Sequence, residues 1–186
     1  MSKPDQPAAG ARISIVERRL ALAEVSVRRG KEAALAAAAR NAFGAEPPEP
    51  GHALLQGAVT TVWIRPGGWL ITEPQTTEGA LASRLERALS GLAAIVDQSH
   101  GKACLRIAGS AAREMLAKGC RVDLHPRAFG PGRAAVTPVA HIHAVLVQID
   151  AAPTFDVIAG STLAESLYDW LAASAAEYGF RRIRSE

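Results

Sequence analysis

Leu92-Ala-Ala-Ile-Val-Asp97, then Gln98-Ser-His-Gly101, then Lys102-Ala-Cys-Leu-Arg-Ile-Ala108, with Ser110 to Gly119 behind them, is the stretch from which the fold is read. Two short runs rich in apolar and branched residues flank a polar break that ends in glycine, the pattern of strands on either side of a turn. Ser110 then offers a helix cap and Gly119 a stop, so the stretch predicts a strand–turn–strand–helix unit.

Downstream the theme repeats. Ala134 to Val139, His143 to Ile149 and Phe155 to Ile158 are strand candidates, and the middle one is a nearly unbroken apolar run of the kind buried on both faces. Thr162-Leu-Ala-Glu165 has the spacing of a capping box, in which hydroxyl and carboxylate satisfy orphan amides reciprocally. Leu163, Leu167, Trp170, Leu171, Ser174 and Tyr178 mark one helical stripe before Gly179.

Upstream, Ile13 to Val27 partly alternates and predicts extended structure, and alanine-rich Lys31 to Phe43 predicts a helix ended by Gly44. The prolines of Glu46-Pro-Pro-Glu-Pro-Gly51 remove backbone donors and require a loop. Ala58 to Ile64 and Trp69 to Thr72 predict a hairpin around Arg65-Pro66-Gly67-Gly68, whose Pro-Gly centre suits a type II turn. Thr76-Thr77-Glu78 offers a cap and an acidic first turn for a helix over about 77–90. Strands interspersed with helices and adjacent hairpins predict an α+β fold, mainly antiparallel sheets with helices packed on one face.

The 186 residues suffice for one modest core. The expected organisation is a flexible N-terminal tail over 1–15, a compact region over 16–180, either one domain or two lobes of about 16–91 and 92–180, and a basic tail over 181–186. Of the 48% hydrophobic residues many are alanine, 38 in all, so the core is shallow. The net charge of +3 is scattered, with local runs at Arg18-Arg19, Arg28-Arg29 and Arg181-Arg182-Ile183-Arg184, and nucleic-acid binding, which gathers phosphate-neutralising charge into one stripe, is not expected. Seventeen arginines against four lysines favour anchors at a protein interface, because the guanidinium fork matches carboxylates. No apolar run approaches the roughly 20 residues of a membrane span, and no hydrophobic signal segment opens the chain, so a cytoplasmic location is expected. Cys104 and Cys120 are expected to be two buried thiols in a reducing compartment.

Chemistry is scarce. His141-Ile142-His143 is a metal suspect, because residues two apart on a strand share a face, but no third ligand accompanies them. His100, His125, Asp97 and Cys120 complete a site only if the fold gathers them, and no metal is expected. Neither cysteine has an acid–base setting and no serine lies in a nucleophile elbow. Gly130-Pro131-Gly132-Arg133 is read as a tight turn, since the proline removes an amide that an anion cradle needs, and no dinucleotide Gly-x-Gly-x-x-Gly is present. Asp97, Asp123, Asp150, Asp156, Glu165 and Asp169 show no pairing in the sequence. No catalytic residue is identified, and cofactor-binding residues are left unassigned.

Val96-Asp-Gln-Ser-His-Gly-Lys-Ala-Cys-Leu-Arg-Ile-Ala-Gly109, Ala112-Arg-Glu-Met-Leu-Ala-Lys-Gly-Cys-Arg-Val-Asp-Leu-His-Pro126, Phe129, Gly132-Arg-Ala-Ala-Val-Thr-Pro-Val-Ala-His141, Phe155-Asp-Val157, Ser166-Leu-Tyr-Asp-Trp-Leu171 and Glu177-Tyr-Gly179 follow one another in an order that resembles the gamma subunits of heterotetrameric sarcosine oxidases. The likeness runs from about residue 92 to 179. It implies a fold similar to the folate-binding aminomethyltransferases, such as the T-protein of glycine cleavage. It further implies a small accessory chain in a complex with alpha, beta and delta subunits that oxidatively demethylates sarcosine or a related N-methyl amino acid. The resemblance assigns FAD, FMN, NAD and tetrahydrofolate to the partner subunits, the flavins to beta and its contact with alpha, and NAD to alpha. One-carbon transfer to tetrahydrofolate then also belongs to the partners, and no cofactor is expected on this chain. The alternative reading is a free-standing tetrahydrofolate-binding or aminomethyl-transfer-related protein, which length opposes, since full aminomethyltransferases resemble chains about twice this size.

Overall fold

The computed structural model describes residues 12–183. Backbone contacts divide the chain into two compact units, distinguished by their place along the sequence: an inner one, Arg19–Lys102, and an outer one whose described residues are 12–18 and 103–183.

The outer unit contains β1 (Ile13–Arg18), β7 (Lys102–Ala108, shared at its first residue with the inner unit), α3 (Ala112–Ala117), β8 (Ala134–Val139), β9 (Ile142–Asp150), β10 (Thr154–Gly160), α4 (Ala164–Ala175) and β11 (Phe180–Ile183). Its six strands lie in the order β11-β1-β7-β10-β9-β8. β1 runs antiparallel to β7, from Ser14↔Ala108 to Arg18↔Cys104, and parallel to β11, from Ile13↔Phe180 to Val16↔Ile183. β9 pairs antiparallel with both β8 and β10. Alternation decides what is buried against the helices. Ile13, Ile15, Leu105, Ile107, Leu146, Phe155 and Val157 pack with Met115 and Leu116 of α3 and Leu167 and Leu171 of α4. Each such side chain withdrawn from water contributes roughly 1.5–3 kcal/mol.

The inner unit contains β2 (Leu20–Val27), α1 (Glu32–Phe43), β3 (Ala53–Gln56), β4 (Val59–Arg65), β5 (Gly68–Pro74), α2 (Ala80–Ala88) and β6 (Ala93–Asp97). The sheet order is β3-β4-β5-β2-β6, antiparallel throughout. Ala21, Ala23 and Val25 of β2 and Ile71 of β5 meet Leu35 of α1 and Leu81 and Leu85 of α2, with Leu89 and Ala93. The alanines give this core little depth, as the composition foretells. Gly44 closes α1 with φ +76, and Gly67 carries φ +67 in the β4–β5 turn, the sign a type II turn requires at its third residue.

The fold is the α+β arrangement expected, two mostly antiparallel sheets with helices laid against them. Several local readings are corrected. The Gln98–Gly101 turn does not close a hairpin: β6 pairs with β2 in the five-stranded sheet and β7 with β1 in the six-stranded one. None of the three expected side-chain caps forms. α2 begins after Gly79 at φ +71, and Glu78 turns instead to His100, whose Nε2 lies 3.0 Å from Oε1. α3 begins after Ala111, and Ser110 Oγ accepts from Arg12 Nε at 3.4 Å. Thr162 and Glu165 form no capping box, because a 3₁₀ turn over Ser161–Leu163 leads directly into α4. Two strands were not expected, β3 and β11. The tail read over 1–15 lies outside the described residues as far as Ala11, with 13–15 in β1; Arg181–Ile183 belong to β11, and 184–186 lie outside. Among the described residues no helix is long and apolar enough to cross a membrane.

Candidate functional site

The two histidines of the metal suspect do not share a strand face. Ala140 and His141 are the two-residue link between β8 and β9, with φ of +51 and +68, and only His143 lies on β9. Both central residues are left-handed, as in a type I′ turn, although neither is the asparagine or glycine usual there. His125 is used locally: its amide donates to Asp123 Oδ1 at 2.9 Å and its Nδ1 accepts from the Arg127 amide at 3.2 Å. Among the described residues no three His, Cys, Asp or Glu side chains converge as metal ligands.

The carboxylates are largely engaged in structure. Asp97 accepts from the Ser99 amide at 2.8 Å, and those Ser99 hydrogen bonds hold its carboxyl below the usual range. Asp150 accepts from the Ala152 amide at 2.9 Å. Asp156 receives two bonds from Arg106. Glu165 and Asp169 line a groove of about 540 Å³ beside α4, together with Glu17, Tyr168 and Arg182, whose guanidinium lies 4.4 Å from the Tyr168 ring centroid.

Gly130–Arg133 is a turn bound to the sheet. The Gly132 amide donates to Gln148 O at 2.9 Å, the Arg133 amide to Gly130 O at 3.0 Å, and the Gln148 amide to Arg133 O at 3.0 Å. Those amides are therefore occupied by protein acceptors rather than presented to an anion. Both cysteines are free and buried. Burial pushes the Cys104 thiol well above the ordinary thiol range, and desolvation raises Cys120 as well, so neither is an activated thiolate.

A cleft of about 470 Å³ opens where the β8–β9 turn meets the end of α3. The turn is anchored there: the Ala140 amide donates to Gly119 O at 3.1 Å, and Cys120 bridges Val139. Trp170 of α4 forms a wall and lies so close to Gly119 that a Cβ would fall 2.3 Å from its Cζ2. Lys118, Arg121 and His141 supply the polar lining. The sequence singled out His141 and Cys120 individually but carries no signal that joins them to Trp170 and Arg121, because the turn that does so uses residues atypical of its type. The inner unit holds a separate apolar cavity of about 30 Å³, lined by residues that include Leu35, Phe43, Leu54, Trp69 and Ile71. That volume is on the scale of a single water.

Residues 29–177 match the model of the sarcosine oxidase gamma subunit family. The chain is 34% identical over 121 residues to sarcosine oxidase subunit gamma of Arthrobacter sp, covering 55% of this chain and 59% of that one, and 31% identical over 118 residues to the same subunit of Corynebacterium sp. (strain P-1), covering 63% and 57%. The match thus spans less than three fifths of these relatives' own length. Among solved structures, a chain of the heterotetrameric sarcosine oxidase from Corynebacterium sp. U-96 superposes with a TM-score of 0.79 at 25% identity, over 95% of this chain and 90% of that one. The glycine cleavage system aminomethyltransferase T from Bartonella henselae shares the fold, with a TM-score of 0.67 at 12% identity over 93% of this chain and 48% of its own. With an ordered series of motifs, one fold and a family model spanning most of its length, the chain belongs to the sarcosine oxidase gamma subunit family.

Proposed function

We propose that this chain acts as a small accessory subunit of a cytoplasmic heterotetrameric sarcosine oxidase, and that its role is to complete the assembly rather than to perform a chemical step. The observation that carries this reading is the match over residues 29–177, joined to a set of titratable groups already committed to turns, ion pairs and buried positions. In this reading alpha, beta and delta subunits are the partners. They hold FAD, FMN, NAD and tetrahydrofolate, oxidise sarcosine or a related N-methyl amino acid and pass on the one-carbon unit. The absence from the sequence of a Gly-x-Gly-x-x-Gly fingerprint supports leaving the nicotinamide cofactor with a partner.

The test has two arms. The purified chain is expected to be colourless and inert toward sarcosine, and to co-elute with co-expressed alpha, beta and delta subunits on size exclusion. A yellow isolated chain, sarcosine-dependent oxygen uptake by it, or failure to co-elute overturns the reading. The fold shared with half of an aminomethyltransferase chain motivates a second reading, a free-standing tetrahydrofolate binder. Titration of the isolated chain with tetrahydrofolate decides between them, tight binding favouring the second.

A further inference from the structure

The cleft at the β8–β9 turn carries charge of one sign. Lys118, Arg121 and His141 line it and no carboxylate does, whereas the groove beside α4 is lined by Glu17, Glu165 and Asp169. The three cleft donors are not equivalent. Lys118 is tied back into the protein, its Nζ donating to Ser174 O at 2.6 Å and pairing with Glu177. Arg121 and His141 are exposed, and among the described residues neither has a hydrogen-bond or ion-pair partner. A guanidinium fork with no internal acceptor is suited to a carboxylate arriving from outside.

The walls are fixed before anything arrives. Trp170 is pressed on Gly119, where the lack of a side chain makes room for the indole. Opposite it, Ala140 and His141 hold left-handed backbone that costs roughly 1–3 kcal/mol at a non-glycine residue, and the Ala140–Gly119 and Cys120–Val139 links keep it there. A rigid aromatic wall beside an unpaired arginine is the composition of an interface anchor, and a wall that is already ordered loses little entropy on association.

We infer that this cleft is a docking site for a carboxylate-bearing segment of a partner subunit, an Asp or Glu side chain engaging Arg121 and His141 while a neighbouring apolar side chain covers Trp170. The inference rests on the subunit reading given above, and charge complementarity selects the occupant.

The experiment uses the full chain titrated into the complex of the remaining subunits. Arg121→Glu is expected to raise the apparent Kd at least tenfold with an unchanged thermal midpoint, and Arg121→Lys to raise it less, because the bidentate fork is lost but the charge is kept. The wild-type Kd is expected to rise with ionic strength, and that of Arg121→Glu to rise less steeply or to fall. A wild-type chain that assembles, with Arg121→Glu binding equally well, overturns the docking site and leaves the subunit reading intact; a wild-type chain that fails to assemble overturns both. Free sodium glutamate quenching Trp170 fluorescence at sub-millimolar concentration without competing with assembly assigns the cleft to a small anion and also overturns the docking site.

Discussion

Arg106 grips Asp156 with two parallel hydrogen bonds across neighbouring strands β7 and β10, Nε to Oδ1 and Nη2 to Oδ2, both at 2.7 Å. The carboxylate side chain is 8% exposed and the guanidinium 28%, so the pair is screened little by solvent. The bond to Asp156 also raises the arginine's proton affinity, which keeps it charged at any working pH. Asp156→Asn strands that charge and is expected to lower unfolding free energy by about 2–4 kcal/mol in urea titration. The double change Arg106→Met with Asp156→Leu is expected to recover a large part of the loss. A single-variant cost below about 0.5 kcal/mol would show the pair to be ornamental.

Gly109 and Gly30 separate strain from collision. Both have positive φ, +130 and +74, but a Cβ at Gly109 would lie 2.1 Å from the Arg12 carbonyl oxygen, whereas one at Gly30 meets nothing within 4 Å. Gly30→Ala is expected to cost about 1–2 kcal/mol, the price of left-handed backbone alone. Gly109→Ala is expected to cost at least twice that, since the backbone of β1 must move. Thermal melts of the two variants check the ratio, and equal costs would contradict it.

The two thiols are expected to respond differently to a disulfide reagent at pH 8. Cys104 is 1% exposed and its thiol is pushed well up by desolvation, so it should react only after unfolding; Cys120, 8% exposed in the cleft wall, should react first, though more slowly than a free thiol. A raised native thiol pKa also sets the sign of the alkaline response. The unfolded chain releases these protons from about pH 8.5 upward while the folded chain retains them, so stability is complete below that value and falls above it. The double variant Cys104→Ala with Cys120→Ala should show a flatter loss between pH 8 and 10, and the same slope as wild type would refute the assignment.

Trp69 ties down the proline-rich loop of the inner unit through its indole, Nε1 donating to Pro48 O at 3.0 Å. Trp69→Phe keeps most of the apolar contact and removes the donor, with an expected loss of about 1 kcal/mol. The loop over 46–51 should then be cut sooner in limited proteolysis. Unchanged cleavage would mean that proline stiffness, not the indole, holds it.

Much of this fold is legible in the residues because burial follows period. β7 and β8 lie where the runs Lys102–Ala108 and Ala134–Val139 place them, and α1 begins one residue after the alanine-rich run does. Two of the missed caps share a setting, a side chain engaged by a partner distant in sequence. Glu78 is drawn to His100 and Ser110 to Arg12, so caps that local spacing favours do not form. β11 escaped notice because Phe180-Arg-Arg-Ile183 has no buried alternation, being held as an edge strand by its parallel pairing to β1. The β6–β7 turn looks like a hairpin locally, and only pairing with β2 and β1, far away in sequence, separates the two strands. The family is readable because ordered motifs survive where individual ones are weak, while the cleft is not, since Gly119, Arg121, His141 and Trp170 meet only in three dimensions.

Arg18 and Cys104 are register partners, and so are Ile13 and Phe180. The first pairing brings the points where the chain leaves and rejoins the outer sheet side by side, so residues 19–102 form a self-contained excursion from it. The second makes β1 wait for β11. On a ribosome the inner unit has all of its described strands once β6 has emerged, whereas β1, made before them, keeps one side unpaired until β11 is released, so that an early strand depends on a much later one.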